Sequence, residues 1–186
     1  MSITTKRGDL GQTDLMFGKR VVKTHPQVEA CGAVDELSAS LGLVRVHLEP
    51  KDALQKRVAE VQQHLIGLMG MLATAPENFS RYITAGYLML PPEAVTKLDT
   101  EIAEMEASLP PAKGWALPGA AGCVVAAYLE VARVNCRRAE RRVAALVSEQ
   151  GELLHPAPLV FLNRLSDWLW LKAREEELNI QGEDIC

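Results

Sequence analysis

Apolar residues recur at intervals of three and four along five segments of this 186-residue chain, and this periodicity is the strongest constraint on its fold. Residues at such intervals lie on one face of a helix, so each segment predicts a helix that buries one side. The clearest stripe consists of Leu54, Val58, Val61, Leu65, Leu68 and Leu72. The predicted helices cover 28–44, 54–72, 95–109, 125–146 and 157–178. Because no strand-like alternation extends over any length, we predict an all-α, five-helix bundle.

The first 27 residues interrupt this pattern with Gly8, Gly11, Gly18 and Pro26. They are predicted to be an irregular arm of loop or short extended segments. The chain length fits one domain, so we expect a single unit over 1–186. Within it, 1–27 would be the arm, 28–178 the helical bundle and 179–186 a C-terminal tail.

Several classes of protein are disfavoured by composition and spacing. A net charge of −4 argues against a nucleic-acid-binding domain, which is typically basic. No apolar run approaches the ~18 residues of a membrane span, and no apolar signal segment follows Met1. The four cysteines are far apart, and the histidines form no metal-binding pattern. We therefore expect a cytoplasmic protein with neither nucleic acid nor membrane as its partner.

The fourth predicted helix carries the densest charge, with five arginines between residues 133 and 142. Arg133, Arg137 and Glu140 share a stripe beside the core face, whereas Arg138 and Arg142 lie on another side. One interpretation is a solvated face with weak ion pairs. Candidate partners for those pairs are Glu130, Glu140 and Glu149. The other interpretation is that the stripe enters a cleft and binds phosphate or carboxylate, anions that suit a guanidinium.

Three further segments supply polar candidates. The arm contains TKRGDLGQT at 5–13, whose glycines, Lys6, Arg7 and Thr13 resemble a phosphate-binding loop in composition, with Lys23 ten residues beyond. CGAVDELSASLG at 31–42 places Asp35 on a stripe of small residues. This carboxylate is either exposed or paired with an arginine such as Arg133 or Arg137.

The last helix contains FLNRLSDWLWLKAR at 161–174. Asn163 is a candidate hydrogen-bond partner for a base or ribose, and Asp167 for an ion pair between helices. Trp168 and Trp170 are predicted to pack in the core or against another subunit.

Taken in order, these motifs resemble the PduO-type ATP:cob(I)alamin adenosyltransferases. The resemblance covers about 4–174 and includes TKRGDLGQT, GKRVVKTHPQVEACGAVDELSASLG, WALPG, VARVNCRRAERRV and FLNRLSDWLW. It implies a homotrimer of five-helix bundles with active sites between subunits. It also implies transfer of the 5′-deoxyadenosyl group of ATP to cob(I)alamin, giving adenosylcobalamin and triphosphate. A cob(II)alamin reductase and an adenosylcobalamin-dependent enzyme are the implied protein partners.

The resemblance also implies roles for individual residues. Arg133, Arg137 and Asp35 would act in catalysis, and Arg133 would pair with Asp35 to link the nucleotide and corrin sites. Cobalamin would contact Asp35, Arg133 and Trp115, an aromatic that displaces the lower axial ligand. Mg²⁺ would be held mainly through the triphosphate. The ATP-binding residues would be Thr5, Lys6, Arg7, Gly8, Asp9, Gly11, Gln12, Thr13, Lys23, Arg137, Glu140 and Asn163.

The sequence departs from the family pattern in four places. Arg7 replaces a small or polar residue, and Val134 replaces one that bears a hydroxyl group. The usual LPGG is LPGAAG, and the segment that leads to Arg133 is two residues longer. These changes motivate an alternative hypothesis, a paralogue that binds ATP or adenosylcobalamin as an escort or sensor without efficient turnover.

Overall fold

The structure is a computed structural model and is mostly helical. It describes residues 4–111, 114–150 and 157–183. In the second range side chains are described as far as residue 146, and in the third as far as residue 180. A hairpin of β1 (Gln12–Asp14) and β2 (Arg20–Val22) precedes the helices. The α-helices are α1 (Pro26–Val46), α2 (Ala53–Leu72), α3 (Phe79–Thr84), α4 (Glu93–Ser108), α5 (Val124–Gln150) and α6 (Ala157–Glu183). Short 3₁₀ turns lie at Met16–Gly18 and Pro76–Asn78.

The helical class predicted from the sequence is confirmed. Each predicted segment lies within one long helix, except that Leu109 caps the end of α4. Helix α6 continues to Glu183, past the predicted start of the tail. Residues 184–186, including Cys186, lie outside the described residues.

The predicted apolar stripes form one continuous core. Helix α5 packs against both α1 and α6, α1 packs against α2, and α4 packs against α6. Leu37, Leu65, Leu129 and Leu165, one from each of four helices, are fully buried together with Trp168. Burial of this apolar surface is the main force that aligns the helices.

Local sequence sets the start of two helices. Pro26 occupies the first turn of α1, where its missing N–H is no loss, and the His25 ring nitrogen Nδ1 accepts the Gln27 N–H at 3.2 Å. The Asp52 carboxylate accepts the Leu54 N–H at 2.7 Å and caps α2.

The arm is more ordered than the sequence predicted. Asp14 pairs with Arg20 in the antiparallel register of β1 and β2. Leu15 is buried, and the Met16 N–H donates to the Ala73 carbonyl at 3.0 Å. These contacts fix the hairpin beside the end of α2, so the TKRGDLGQT loop extends from an anchored base.

Glycine on α2 allows the segment after α3 to approach closely. A Cβ on Gly67 would lie 2.6 Å from the Met89 carbonyl carbon, a contact that real Cβ atoms do not make. Beside it, buried Tyr82 donates its hydroxyl to the Leu88 carbonyl. The path of residues 89–90 therefore depends on the absence of a side chain at Gly67.

No helix in the described parts of the chain is long and apolar enough to cross a membrane.

Candidate functional site

The arginines of α5 divide into two groups by the helices that they face. Arg138 lies 2.7 Å from Glu36 and Arg142 lies 3.8 Å from Glu29, both on α1. The sequence had offered Glu130, Glu140 and Glu149 as partners, and the side chain of Glu149 lies outside the described residues. Both pairs are about half exposed, so each contributes less than about 1 kcal/mol. This side of α5 is the solvated, ion-paired surface.

Arg133 pairs with Glu130, one of the partners that the sequence offered, and not with Asp35. Its Nε donates to Glu130 Oε2 at 2.7 Å, whereas Asp35 is exposed and forms no ion pair with the described residues. The expected Arg133–Asp35 pair is therefore not formed within one chain. Glu130 lies one helical turn before Arg133, so the two side chains meet on the same helix without bridging to α1.

Glu140 and Asn163 are brought together where α5 packs against α6. Asn163 Nδ2 donates to Glu140 Oε1 at 3.0 Å, and its Oδ1 accepts from Arg164 Nη1 at 2.9 Å. Both ends of the Asn163 amide are therefore paired, which fixes its orientation. Arg137 lies one turn before Glu140 and is exposed. The arrangement presents an exposed guanidinium, which forms no ion pair with the described residues, beside an ordered carboxylate and amide.

The TKRGDLGQT loop folds back on itself through backbone hydrogen bonds. The Gly11 N–H donates to the Gly8 carbonyl at 3.1 Å, and the Lys23 N–H donates to the Gly11 carbonyl at 2.9 Å. Lys6 and Gly11 both have positive φ, at 58° and 77°. A Cβ on Gly8 would lie 3.1 Å from Lys23 Nζ, so the ammonium group lies against the loop backbone. Lys23, which the resemblance implies as an ATP-binding residue, therefore lies beside this loop.

Arg20, which sequence reasoning missed, ties the loop to the hairpin. Its guanidinium donates to Gln12 Oε1 at 3.2 Å, to Asp14 Oδ1 at 3.1 Å and to the Arg7 carbonyl. Arg7 Nη2 lies 3.0 Å from Asp14 Oδ2, so the unusual loop arginine pairs within its own hairpin. The sequence signal for this contact was the opposite charge of Asp14 and Arg20 on either side of the turn, because cross-strand pairs of opposite charge stabilise hairpins.

Two depressions on the described surface are candidate ligand sites. The first, about 410 Å³, lies between the hairpin, α1 and α5. Its lining includes Thr13, Lys23, Glu29, Gly32, Glu36 and Arg138. Thr5 and Asp9 are exposed beyond it. Within the described part of the chain, no hydrogen bond or ion pair joins residues 5–13 to Arg137, Glu140 or Asn163.

The second depression is an apolar groove of about 380 Å³ between the end of α4 and α6. Its lining includes Leu109, Pro110, Trp170, Leu171, Arg174 and Leu178. The loop that connects this region to α5 makes two successive turns around Gly119 and Gly122, both with positive φ. It leaves the Trp115 side chain fully exposed. Trp168 is buried in the core as predicted, and Asp167 is exposed.

Cys31 and Cys136 are poor nucleophiles. Burial raises the pKa of Cys136 far above its usual range, and burial raises the pKa of Cys31 to about 11. A protonated thiol neither attacks carbon nor binds a metal readily. In the chain as described, no group of three or more His, Cys, Asp or Glu side chains could hold a metal ion.

Comparisons with known proteins agree on one family. A family model described as cobalamin adenosyltransferase matches residues 3–176. The chain is 37% identical over 189 residues to corrinoid adenosyltransferase PduO of Salmonella typhimurium, which covers 100% of this chain but 52% of that relative. The chain thus spans about half of that protein's length. It is 37% identical to a corrinoid adenosyltransferase of Bacillus subtilis, with 94% of this chain and 86% of the relative covered.

Solved structures agree with these sequence matches. A variant of a PduO-type ATP:corrinoid adenosyltransferase from Lactobacillus reuteri, complexed with cobalamin and ATP, matches with a TM-score of 0.85 and 31% identity. The match covers 97% of this chain and 96% of that one.

Proposed function

The chain belongs to the cobalamin adenosyltransferase family, and from this premise we propose that it transfers the 5′-deoxyadenosyl group of ATP to cob(I)alamin. In this reaction the Co(I) electron pair attacks C5′ of the ribose and forms the cobalt–carbon bond. The bond between C5′ and its oxygen breaks, and that electron pair leaves with the triphosphate. The products are adenosylcobalamin and triphosphate.

The observation that carries this proposal is the exposed guanidinium of Arg137 beside the paired Glu140 and Asn163. Charge accumulates on the triphosphate as its bond to C5′ breaks, and a guanidinium beside the triphosphate oxygens stabilises that charge. Glu140 and Asn163 offer an acceptor and an amide to the ribose or base. Because the α5–α6 contact holds them, they lose little entropy when ATP binds.

The arm supplies the remaining nucleotide contacts in this proposal. The turns of the TKRGDLGQT loop and the Lys23 ammonium group against Gly8 give donors for phosphate oxygens. Arg7 is partly neutralised by Asp14, so its role here is to stiffen the hairpin as well as to add charge. The described side chains do not by themselves form a metal site, so we propose that Mg²⁺ arrives with the triphosphate oxygens as its main ligands.

The chemistry requires no nucleophile from the protein. Co(I) performs the attack, and burial keeps the Cys31 and Cys136 thiols protonated. The tasks of the protein are to orient ATP, to stabilise the leaving triphosphate and to expose cobalt. A site built from arginines, a carboxylate and backbone donors is suited to these tasks.

The apolar groove beside Trp170 is the surface that best fits the corrin. Its aliphatic and aromatic lining suits the edge of a large macrocycle. Trp115 follows closely on the residues of the groove and is fully exposed, free to pack against the lower face of the corrin. In that position an indole ring displaces the lower axial ligand and leaves cobalt accessible to reduction.

We further propose a homotrimer with the site completed between subunits. Within one chain the loop forms no hydrogen bond with Arg137, Glu140 or Asn163 among the described residues, and Asp35 is exposed without an ion pair. A neighbouring copy would bring Asp35 to Arg133 and the loop to Arg137. Val131 and Val134 are exposed on α5 and offer apolar surface for this contact. A cob(II)alamin reductase would supply Co(I), and an adenosylcobalamin-dependent enzyme would take the product.

An anaerobic assay with chemically reduced cobalamin, ATP and Mg²⁺ tests the proposal. We expect the absorbance spectrum of cob(I)alamin to convert to that of adenosylcobalamin. Arg137→Ala should abolish conversion, whereas Arg142→Ala is the matched control because its pair with Glu29 spans 3.8 Å on the solvated side. ATP binding without any conversion by the wild type would refute the proposed activity. Retained turnover in Arg137→Ala would remove that residue from its role.

A further inference from the structure

Glu130 on α5 is a buried carboxylate with two guanidinium partners on different helices. Its side chain is 5% exposed. Its Oε2 accepts from Arg133 Nε at 2.7 Å, and its Oε1 accepts from Arg174 Nη2 of α6 at 2.9 Å. Each carboxylate oxygen therefore has its own cation, which is the condition under which a buried charge is tolerated.

The two arginines lie at different parts of the proposed site. Arg174 lines the apolar groove, where its guanidinium lies 5.7 Å from the Trp170 ring centroid and its Nη1 lies 2.9 Å from Glu177. Arg133 belongs to the stripe that continues to Arg137. Glu130 is thus a single carboxylate in contact with both the wall of the groove and the arginine stripe.

The two terminal nitrogens of the Arg133 guanidinium are available to a ligand. Nε is held by Glu130, while Nη1 and Nη2 form no hydrogen bond with the described residues. An arginine anchored at Nε keeps a fixed plane and presents its two terminal nitrogens in one direction. Arg174 is more enclosed, with its side chain 16% exposed. It contacts both the groove and Glu130.

We infer that Glu130 is a positioning residue that holds Arg133 for catalysis and couples occupation of the apolar groove to the orientation of that arginine. The inference rests on the proposed adenosyl transfer. Cobalamin bound in the groove would press on Trp170 and Arg174, and Glu130 would pass that constraint to Arg133. Glu130 itself touches neither substrate.

Glu130→Gln is the direct test because it keeps the shape and removes the charge. The new amide has one acceptor and one donor group, so one of the two arginines would face a donor and turn away. We expect kcat to fall and KM for cob(I)alamin to rise by about tenfold or more, with KM for ATP changed by less than about threefold. Glu101→Gln is the matched control, since Glu101 also pairs with an arginine across two helices, 2.9 Å from Arg57 Nε. That control should leave both constants unchanged.

A double-mutant cycle with Arg133→Lys separates positioning from general structural damage. If Glu130 acts through Arg133, the double variant should be no slower than Arg133→Lys alone. Additive losses would overturn the inference, as would wild-type constants for Glu130→Gln or equal losses in the KM for both substrates. Should Glu130→Gln fail to fold, Glu130→Asp keeps the charge but is one methylene shorter, and we expect the same selective rise in cobalamin KM. Wild-type kinetics in the folded Glu130→Asp variant would also overturn the inference.

Failure of the proposed function has a different signature. If the wild type forms no adenosylcobalamin, the activity itself is refuted and Glu130 has no reaction to serve. If the wild type is active and the Glu130 variants match it, only the positioning role is lost.

Discussion

Asn163→Asp should introduce a pH-dependent defect at the centre of the proposed nucleotide site. The substitution keeps the shape of the side chain but replaces the amide that donates to Glu140 at 3.0 Å with a second carboxyl group. A hydrogen bond to a charged group contributes about 1.5–3 kcal/mol. Two like charges 4 Å apart repel by about 4 kcal/mol at an effective dielectric constant of 20, and Arg164, 2.9 Å from the Asn163 oxygen, offsets part of this. We expect the free energy of unfolding to fall by about 2–4 kcal/mol at pH 8.

The sign of the pH effect follows from the repulsion. The adjacent Glu140 charge raises the folded-state pKa of the new carboxyl group above its unfolded value of about 3.9. The folded variant then binds more protons than the unfolded chain between those two pKa values. Its stability is therefore retained at low pH and lost as pH rises through the folded-state pKa.

Urea unfolding from about pH 5 to pH 8, at fixed protomer concentration, measures this effect. Asn163→Ala is the control, because it loses the hydrogen bond without adding charge. Its defect should be independent of pH over that range. ATP affinity should follow the same pattern, weaker at pH 8 than at pH 5 in Asn163→Asp alone. A defect in Asn163→Asp that equals that of Asn163→Ala at every pH would refute the proposed contact between Glu140 and Asn163.

Three other perturbations test separate parts of the structure. Gly67→Ala should destabilise the protein by about 1–3 kcal/mol in urea unfolding, because the new Cβ would lie 2.6 Å from the Met89 backbone. The control is Gly42→Ala, whose Cβ would lie 3.9 Å from the nearest atom, and it should be neutral or stabilising. Equal stability of the two variants would contradict this packing. The pKa of His64 is lowered, chiefly because the ring is buried. Just below about pH 6.5 the unfolded chain therefore binds more protons than the folded protein, and the free energy of unfolding falls with decreasing pH there. His64→Gln should flatten that part of the unfolding profile, and an unchanged slope would exclude His64 as its source. Trp115→Ala should slow adenosyl transfer while leaving ATP affinity within about twofold, and an equal loss of ATP affinity would argue against a contact with the corrin.

The long helices were predictable because their periodicity is a direct consequence of burying one face. The stripe that includes Val58 and Leu65 lies wholly in the core, as its spacing requires. The hairpin was not predictable in the same way, since strands of three residues contain too little alternation to be recognised. Helix α3 has six residues, too few to leave a stripe in the sequence, and its Tyr82 packs against Gly70 of α2.

The residues assigned to the site stay a prediction, whereas most of their pairings depend on tertiary structure. Glu140 and Asn163 were named from the family resemblance, and their contact depends on how α5 packs against α6. Arg133 and Glu130 are three residues apart on one helix, and Glu130 was among the partners that the sequence offered for these arginines. The link from Glu130 to Arg174 crosses 44 positions in the sequence and depends on tertiary structure.

Product stoichiometry tests the central claim most directly. The wild-type protein would be incubated anaerobically with cob(I)alamin, limiting ATP and Mg²⁺, and the cobalamin and phosphate products would be quantified together. Attack of Co(I) on C5′ predicts adenosylcobalamin and intact triphosphate in equal amounts, with no adenosine diphosphate. Release of adenosine diphosphate, or cobalamin recovered without a cobalt–carbon bond, would contradict adenosyl transfer as the activity of this chain.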